Sequence, residues 1–232
     1  MSKPIAAVVG VGPGIGASLA RAMAARGYGV ALLARSAEFS EELAQTLEGA
    51  KAYRCDVGDA ASVTRAFDAI AAEQGPVDVL LYNAGSGKFA GVDETSLHDL
   101  ESAWRVNTWG LMACTKACLP HMRRAGGSIV VTGATASLRG GPRTTAFAQA
   151  KAAQRSLAQS LAKQLGPQGI HVALVIIDGM VDLPSTRAAM PGTPDEVFLA
   201  PDAIAGSVVH LVEQPRSAWT FELDLRPHVE KW

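Results

Sequence analysis

Only three cysteines, Cys55, Cys114 and Cys118, occur in the 232 residues, and no metal-ligand spacing joins them. Cys114 and Cys118 stand four apart on a predicted helix and share one face. They read as small buried residues of a reducing compartment, not as a disulfide framework. Charge of either sign is in no excess. The formal net charge is −1, which argues against a nucleic-acid surface. No apolar run approaches the roughly 20 residues that a membrane-spanning helix needs. No basic segment followed by an apolar stretch precedes the first strand-like run at Ile5, so a cytoplasmic protein without a signal peptide is expected. The five histidines are dispersed, and His98, His121 and His171 form no metal or triad pattern. No linker, repeat or low-complexity tract interrupts residues 1–232, which are expected to form one domain.

What is present is a hydrophobic fraction of 48% and 23 glycines, which suits an α/β protein with tight turns. Strand-length apolar runs at 5–11, 29–35, 52–57, 77–85, 127–133 and 170–178 alternate with helical patterns at 17–27, 40–49, 60–75, 97–124, 144–166 and 202–214. Residues 217–227 offer a last strand, and Pro120 predicts a kink or an early end in the helix over 97–124. Such alternation with near-continuous apolar strands predicts a Rossmann-type, doubly wound parallel sheet with helices on both faces. Ligands then bind beyond the carboxyl ends of the strands, at the loops after residues 11, 35, 57, 85, 133 and 178. The Pro-, Gly- and Ala-rich stretch 183–200 reads as a mobile lid over a small-molecule substrate.

The first of those loops is GVGPGIG, residues 10–16. Between a strand and a helix, such a loop lets backbone N–H groups approach a pyrophosphate at the helix N-terminus. Gly10 suits the tight turn, while Gly14 and Gly16 leave room for phosphate and for close helix packing. The second strand ends in Ala34, Arg35 and Ser36, with no acid to repel a 2′-phosphate and a guanidinium fork to bind one. NADP(H) is therefore favoured over NAD(H).

Taken together, these residues resemble the short-chain dehydrogenase/reductase family over residues 5 to about 212. Its glycine pattern falls on Gly10, Gly14 and Gly16 around Ile15, its D-V on Asp56 and Val57, and its N-A-G on Asn83, Ala84 and Gly85. Its helical asparagine falls on Asn107 and its lysine on Lys151. The resemblance implies that these positions, with Gly179 and Val181 after the sixth strand, hold the dinucleotide. It implies that Asp56 meets the adenine amino group, that Lys151 meets the nicotinamide ribose, and that Asn107 holds a relaying water. It also implies a homodimer or homotetramer built through the helices near 97–124 and 144–166.

The departures from the family pattern fall on its chemistry. The catalytic tyrosine position holds Phe147, and the serine position, thirteen residues earlier, holds Ala134. Thr132, Thr135 and Ser137 lie close by, but none at the matching position. The sixth strand ends in Asp178–Gly179 where the family has P-G, and Leu183 replaces a threonine. A general acid contributes roughly 10²–10⁴ in rate and an oxyanion donor about 10²–10³, so ordinary ketone reduction by the family's mechanism is not expected.

Lys151 keeps a use as a cation for the ribose. Asp178 is the candidate acid, with plain Asp-Gly turn chemistry as its other reading. Tyr82 is expected to face the sheet interior, and Ser86 and Lys88 lie on the next loop. The function expected is an NADP(H)-dependent oxidoreductase with a non-standard proton-transfer site, acting on an activated C=C, an imine or a quinone-like acceptor. The alternative is a catalytically silent dinucleotide-binding sensor or assembly protein.

Overall fold

The computed structural model describes residues 3–230. Strands β1 (Ile5–Val9), β2 (Gly29–Ala34), β3 (Ala50–Arg54), β4 (Val77–Tyr82), β5 (Gly127–Thr132) and β6 (Ile170–Ile177) alternate with helices. Those helices are α1 (Ile15–Ala25), α2 (Glu38–Gln45), α3 (Ala60–Glu73), α4 (Leu97–Trp104), α5 (Gly110–Ala125) and α6 (Thr145–Leu165). After β6 come β7 (Met180–Val181), α7 (Pro184–Ala189), β8 (Phe198–Leu199), α8 (Pro201–Val212) and β9 (Glu222–Leu225). The main sheet has seven strands in the order β3-β2-β1-β4-β5-β6-β9. Every pairing in it is parallel, including that of β9 with β6.

The strands are apolar throughout because both faces are covered. Ala7 and Val9 of β1 point into a core shared with Phe67 of α3, Leu111 of α5 and Leu161 of α6. Ala6 and Val8 point the opposite way, toward Leu19 of α1, Leu43 of α2 and Val208 of α8. Burying each large aliphatic side chain contributes about 1.5–3 kcal/mol, and two such layers hold the sheet edge-on to the ligand loops. All three cysteines are buried in the first of these cores, as expected of small buried residues. Helix starts follow local chemistry. Asp59 accepts from the Ala61 N–H at 3.0 Å to cap α3. Ser96 and Asp99 form a capping box at the start of α4.

The helix expected over 97–124 is interrupted, but not at Pro120, which sits inside α5 without ending it. Proline removes one backbone bond there, and the buried face carrying Cys114, Cys118 and Met122 holds the helix together. The irregularity falls instead at Arg105–Trp109, a π-helical segment between α4 and α5. It carries Asn107, whose side-chain Nδ2 donates to the Ala103 carbonyl at 2.8 Å.

Stretch 183–200 carries regular structure of its own: α7, a 3₁₀ turn at Asp195–Val197, and β8 paired in parallel with β7. Arg187 clamps it, with Nε 2.7 Å from Asp182 Oδ1 and Nη1 2.6 Å from Asp195 Oδ1. Its guanidinium also lies 4.0 Å from the centre of the Phe198 ring. Among the described residues no helix is long and apolar enough to cross a membrane.

Candidate active site

The strand order reverses at β1, between β2 and β4, and the loops leaving β1 and β4 meet there. Gly10 turns with φ +89°, and a Cβ on it would lie 2.5 Å from the backbone of Ala84. Asn83 Nδ2 donates to the Gly10 carbonyl at 2.9 Å, and a Cβ on Gly16 would lie 2.6 Å from that same oxygen. The two loops thus touch through bare backbone, which only glycine permits. Gly14 faces the Leu183 side chain, while a Cβ on Gly12 would meet open space. α1 begins at Ile15 with no side-chain cap, so the positive end of its dipole faces this loop.

Beside the glycine loop runs a groove of about 270 Å³, bordered by Ala34, Arg35, Ser36, Val57 and Ala84. Arg35 and Ser36 are exposed at the end of β2. Asp56 turns toward its own loop, where its Oδ1 accepts from the Gly58 N–H at 2.9 Å; its neighbours Cys55 and Val57 border the groove. Burial raises the Cys55 thiol to about 11, so it stays protonated.

Asn83 and Gly85 also line a second cavity of about 720 Å³. Its walls are mostly apolar: Phe89 and Phe147, Ile177, Val181, Leu183 and Ile15. The rings of Phe89 and Phe147 lie 5.1 Å apart, centre to centre. Gly87 backs Phe147 closely; a Cβ there would lie 2.7 Å from its Cδ2. Ala134 borders the same cavity, so the two positions that lack hydroxyls do face one space.

Lys151 also borders this cavity, yet the residue is only 5% exposed. Its Nζ donates to the Thr132 carbonyl at 2.9 Å and to Gln154 Oε1 at 3.0 Å. Burial lowers its pKa to about 7. Gln154 Nε2 in turn donates to the Asn107 carbonyl at 2.9 Å, so one amide side chain joins the π segment to the lysine. Asn107 is fully buried, and its Nδ2 also donates to the Ser86 carbonyl at 2.5 Å. Its Oδ1 is buried with no hydrogen-bond partner among the described residues. A buried carbonyl left in this way points to a group or water not yet counted. A Cβ on Gly85 would lie 3.6 Å from that oxygen and 3.7 Å from Lys151 Nζ, so both atoms face the same glycine.

Asp178 is placed differently from what the sequence suggests. Its Oδ1 accepts from Thr135 Oγ1 at 2.5 Å, and its Oδ2 lies 3.3 Å from Arg226 Nη2. Gly179, with φ +150° and packed on Pro227, borders the cavity, and Asp178 is not among its lining residues. The side chain is thus engaged by the loop after β5 and by the segment after β9, away from the position of a pocket acid that the sequence suggests. Thr135 does border the cavity, but Ser137 is turned away and donates to the Ala134 carbonyl at 2.7 Å.

Tyr82 faces the core as expected; it is fully buried, donates to the Val106 carbonyl, and burial pushes its pKa well up. Lys88 is exposed, donates to the Glu94 carbonyl at 2.5 Å and lies 3.5 Å from Asp99. His121 pairs with Asp78 and His171 stacks on Trp219, both away from the cavity. Gln154 was readable in principle, since it follows Lys151 by three residues on one helix face. Arg226 carries no local sequence signal.

Residues 4–192 match the model of a family described as short chain dehydrogenase. The chain is 33% identical to a D-threitol dehydrogenase of Mycolicibacterium smegmatis, over 89% of this chain and 85% of that protein. It is 31% identical to a 3-oxoacyl-acyl-carrier-protein reductase of Mus musculus, over 91% and 92% of the two. An alcohol dehydrogenase of Thermococcus sibiricus, solved with 5-hydroxy-NADP, superimposes with a TM-score of 0.89 at 30% identity, covering 99% of each chain. A metagenomic short-chain oxidoreductase solved with NADP gives 0.83 at 26% identity, again over 99% of each.

Proposed function

The chain belongs to the short-chain dehydrogenase family of oxidoreductases, and from that premise we propose that it is an NADP(H)-dependent reductase of an activated C=C, imine or quinone-like acceptor. The observation that carries this reading is the junction of the two spaces. The groove turned by Gly10 shares Asn83 and Gly85 with an apolar cavity lined by Phe147 and Ala134, the residues that we align with the family's tyrosine and serine.

The residues present fit a nicotinamide dinucleotide. The loop at Gly10, Gly14, Ile15 and Gly16 would hold the pyrophosphate at the start of α1, with Asp56 and Val57 at the adenine. Arg35 and Ser36, with Ala34 in place of an acid, favour a 2′-phosphate. Asn83, Ala84, Gly85, Gly179 and Val181 would flank the nicotinamide half, with Lys151 on the ribose hydroxyls. When bound, the reduced nicotinamide supplies a hydride. Phe147, Ile177, Val181 and Leu183 would give the acceptor an apolar wall, with Phe89 at the exposed mouth of the cavity. An acceptor whose electron pair is delocalised as it forms needs less from an oxyanion donor, which suits Ala134. The faces of α5 and α6 away from the sheet suit a homodimer or homotetramer, which the mass in solution reads directly.

Calorimetric titration with NADPH and NADH, followed by a panel of enones, imines, quinones and simple ketones, tests the proposal. The expected result is preferential NADPH binding and turnover of the activated acceptors over ketones. Absence of any dinucleotide binding by the folded protein defeats it. Binding with no turnover on any acceptor replaces it with the silent sensor or assembly protein, which the paired loss of both hydroxyls would equally produce.

A further inference from the structure

The proposed reduction needs a proton as well as a hydride, and neither Phe147 nor Ala134 supplies one. The hydroxyls on the cavity wall belong to Thr132, Thr135, Thr144 and Thr186, and threonine is not among the side chains that titrate near neutral pH. Arg139 borders the cavity but does not give up a proton in proteins. Among the described residues no Asp, Glu, His, Tyr or Cys lines it. Lys151 is what remains. Resting on the reductase reading above, we infer that Lys151 is itself the proton donor, delivering an ammonium proton into the cavity in addition to holding the cofactor.

Geometry supports this role. An ammonium carries three N–H donors. Two of them are directed at Thr132 O and Gln154 Oε1, at 2.9 and 3.0 Å. Both acceptors are neutral, so they orient the nitrogen without fixing it as a permanent cation. The Phe147 ring centre lies 5.8 Å from Nζ and carries no hydroxyl to take over the proton.

Charged groups on the neighbouring elements are engaged elsewhere. On α6 itself Arg155 pairs with Glu222; at the end of β6 Asp178 is tied to Thr135 and Arg226. In the π segment Arg105 lies over the Trp109 ring, and after β4 Lys88 is bound near Glu94 and Asp99. Arg139, on the loop after β5, is exposed. Among the described residues no carboxylate forms an ion pair with Lys151. Burial alone therefore brings its pKa to about 7, where a general acid works best at neutral pH.

The step balances. A hydride adds to the electrophilic carbon of the acceptor, and the electrons of the C=X bond move onto X. X takes the proton as the Nζ–H bond breaks, leaving Lys151 as a neutral amine. The amine regains a proton from water. The acceptor is reduced and the bound dinucleotide oxidised.

A direct titration tests the assignment. Protein labelled with ¹³C at lysine Cε, free of dinucleotide, is titrated by NMR, with the Lys151 signal assigned by its loss in Lys151→Met. A midpoint near 7 is expected; a midpoint near the ordinary lysine value of about 10.4 overturns the inference. In the pH profile of the wild-type protein, kcat should fall above about pH 7, as the ammonium form is lost. Lys151→Arg, which keeps a cation but cannot give up a proton, should lose about 100-fold or more in kcat when both proteins are compared at saturating NADPH. Full activity in Lys151→Arg with an unchanged pH profile also overturns it. If that variant does not fold, the wild-type titration and pH profile decide. Wild-type protein that turns over no acceptor defeats the reductase reading and this inference together, whereas turnover with an ordinary Lys151 titration defeats the inference alone.

Discussion

The Thr135 hydroxyl donates to the Asp178 carboxylate at 2.5 Å, bridging the loop after β5 to the end of β6. Arg226, beyond β9, holds the other oxygen of the same carboxylate at 3.3 Å. Asp178 thereby fixes the back of the cavity. Asp178→Ala should cost about 1–3 kcal/mol of stability, because the Thr135 hydroxyl and the mostly buried Arg226 guanidinium each lose one bond while Arg226 keeps its pair with Asp224. Asp178→Asn keeps an oxygen for Thr135 and should cost less. In both variants chemical denaturation should shift while the pH dependence of turnover stays that of the wild type. A stable Asp178→Asn protein with no turnover would restore Asp178 as the acid.

Phe147→Tyr places a phenol on the ring that already faces Lys151. Alone it supplies an acid but no oxyanion donor, because Ala134 remains. Phe147→Tyr combined with Ala134→Ser should raise reduction of simple ketones by about 10²-fold or more over the parent, and by more than either change alone. NADPH oxidation with an aryl ketone measures it. Equal rates in parent and double variant would show that the cavity does not present a ketone to these positions.

Arg35→Glu reverses the charge at the end of β2. NADPH binding should weaken by about tenfold or more, while NADH binding holds or improves. Calorimetry at matched ionic strength reads both constants. A parallel loss of both cofactors would mean that Arg35 serves the fold and not the 2′-phosphate.

Lys151 gives the fold a pH dependence with a definite sign. Burial lowers its pKa in the folded protein to about 7 from the ordinary lysine value of 10.5, so the unfolded chain binds the proton more tightly. The cost of burying the charge is therefore fully present below about pH 7 and is relieved as pH rises toward 10.5. Dinucleotide-free protein should gain stability relative to Lys151→Met between pH 7 and 9.5. Urea denaturation of both proteins at matched pH measures the difference; a constant difference across that range would contradict the lowered value.

The strands and the glycine loop were legible in the sequence because their causes are local. Apolar runs such as Ile5–Val9 are buried on both faces, and Gly10 and Gly16 have a backbone neighbour that admits no Cβ. The site was legible only where a residue's role does not depend on the direction it faces. Asp178 ends a strand in which the side-chain direction changes with every residue, and the following tail supplies Arg226 as its partner. The break near Asn107 was out of reach for a similar reason. Pro120 is a strong local signal, whereas the π segment is tied to Ser86 and Gln154, which are distant in sequence.

That π segment also limits how this chain can be edited. Removing one residue from Arg105–Trp109 would allow α4 and α5 to join as one regular helix. The wide turn absorbs that residue locally, so Leu111, Cys114, Cys118 and Met122 would keep facing the sheet they now cover. What a single-codon deletion would remove is the local widening around Asn107, whose side chain reaches Ser86 and whose carbonyl receives Gln154. A change of length here should therefore spare the core and the overall stability while it disturbs the surroundings of Lys151.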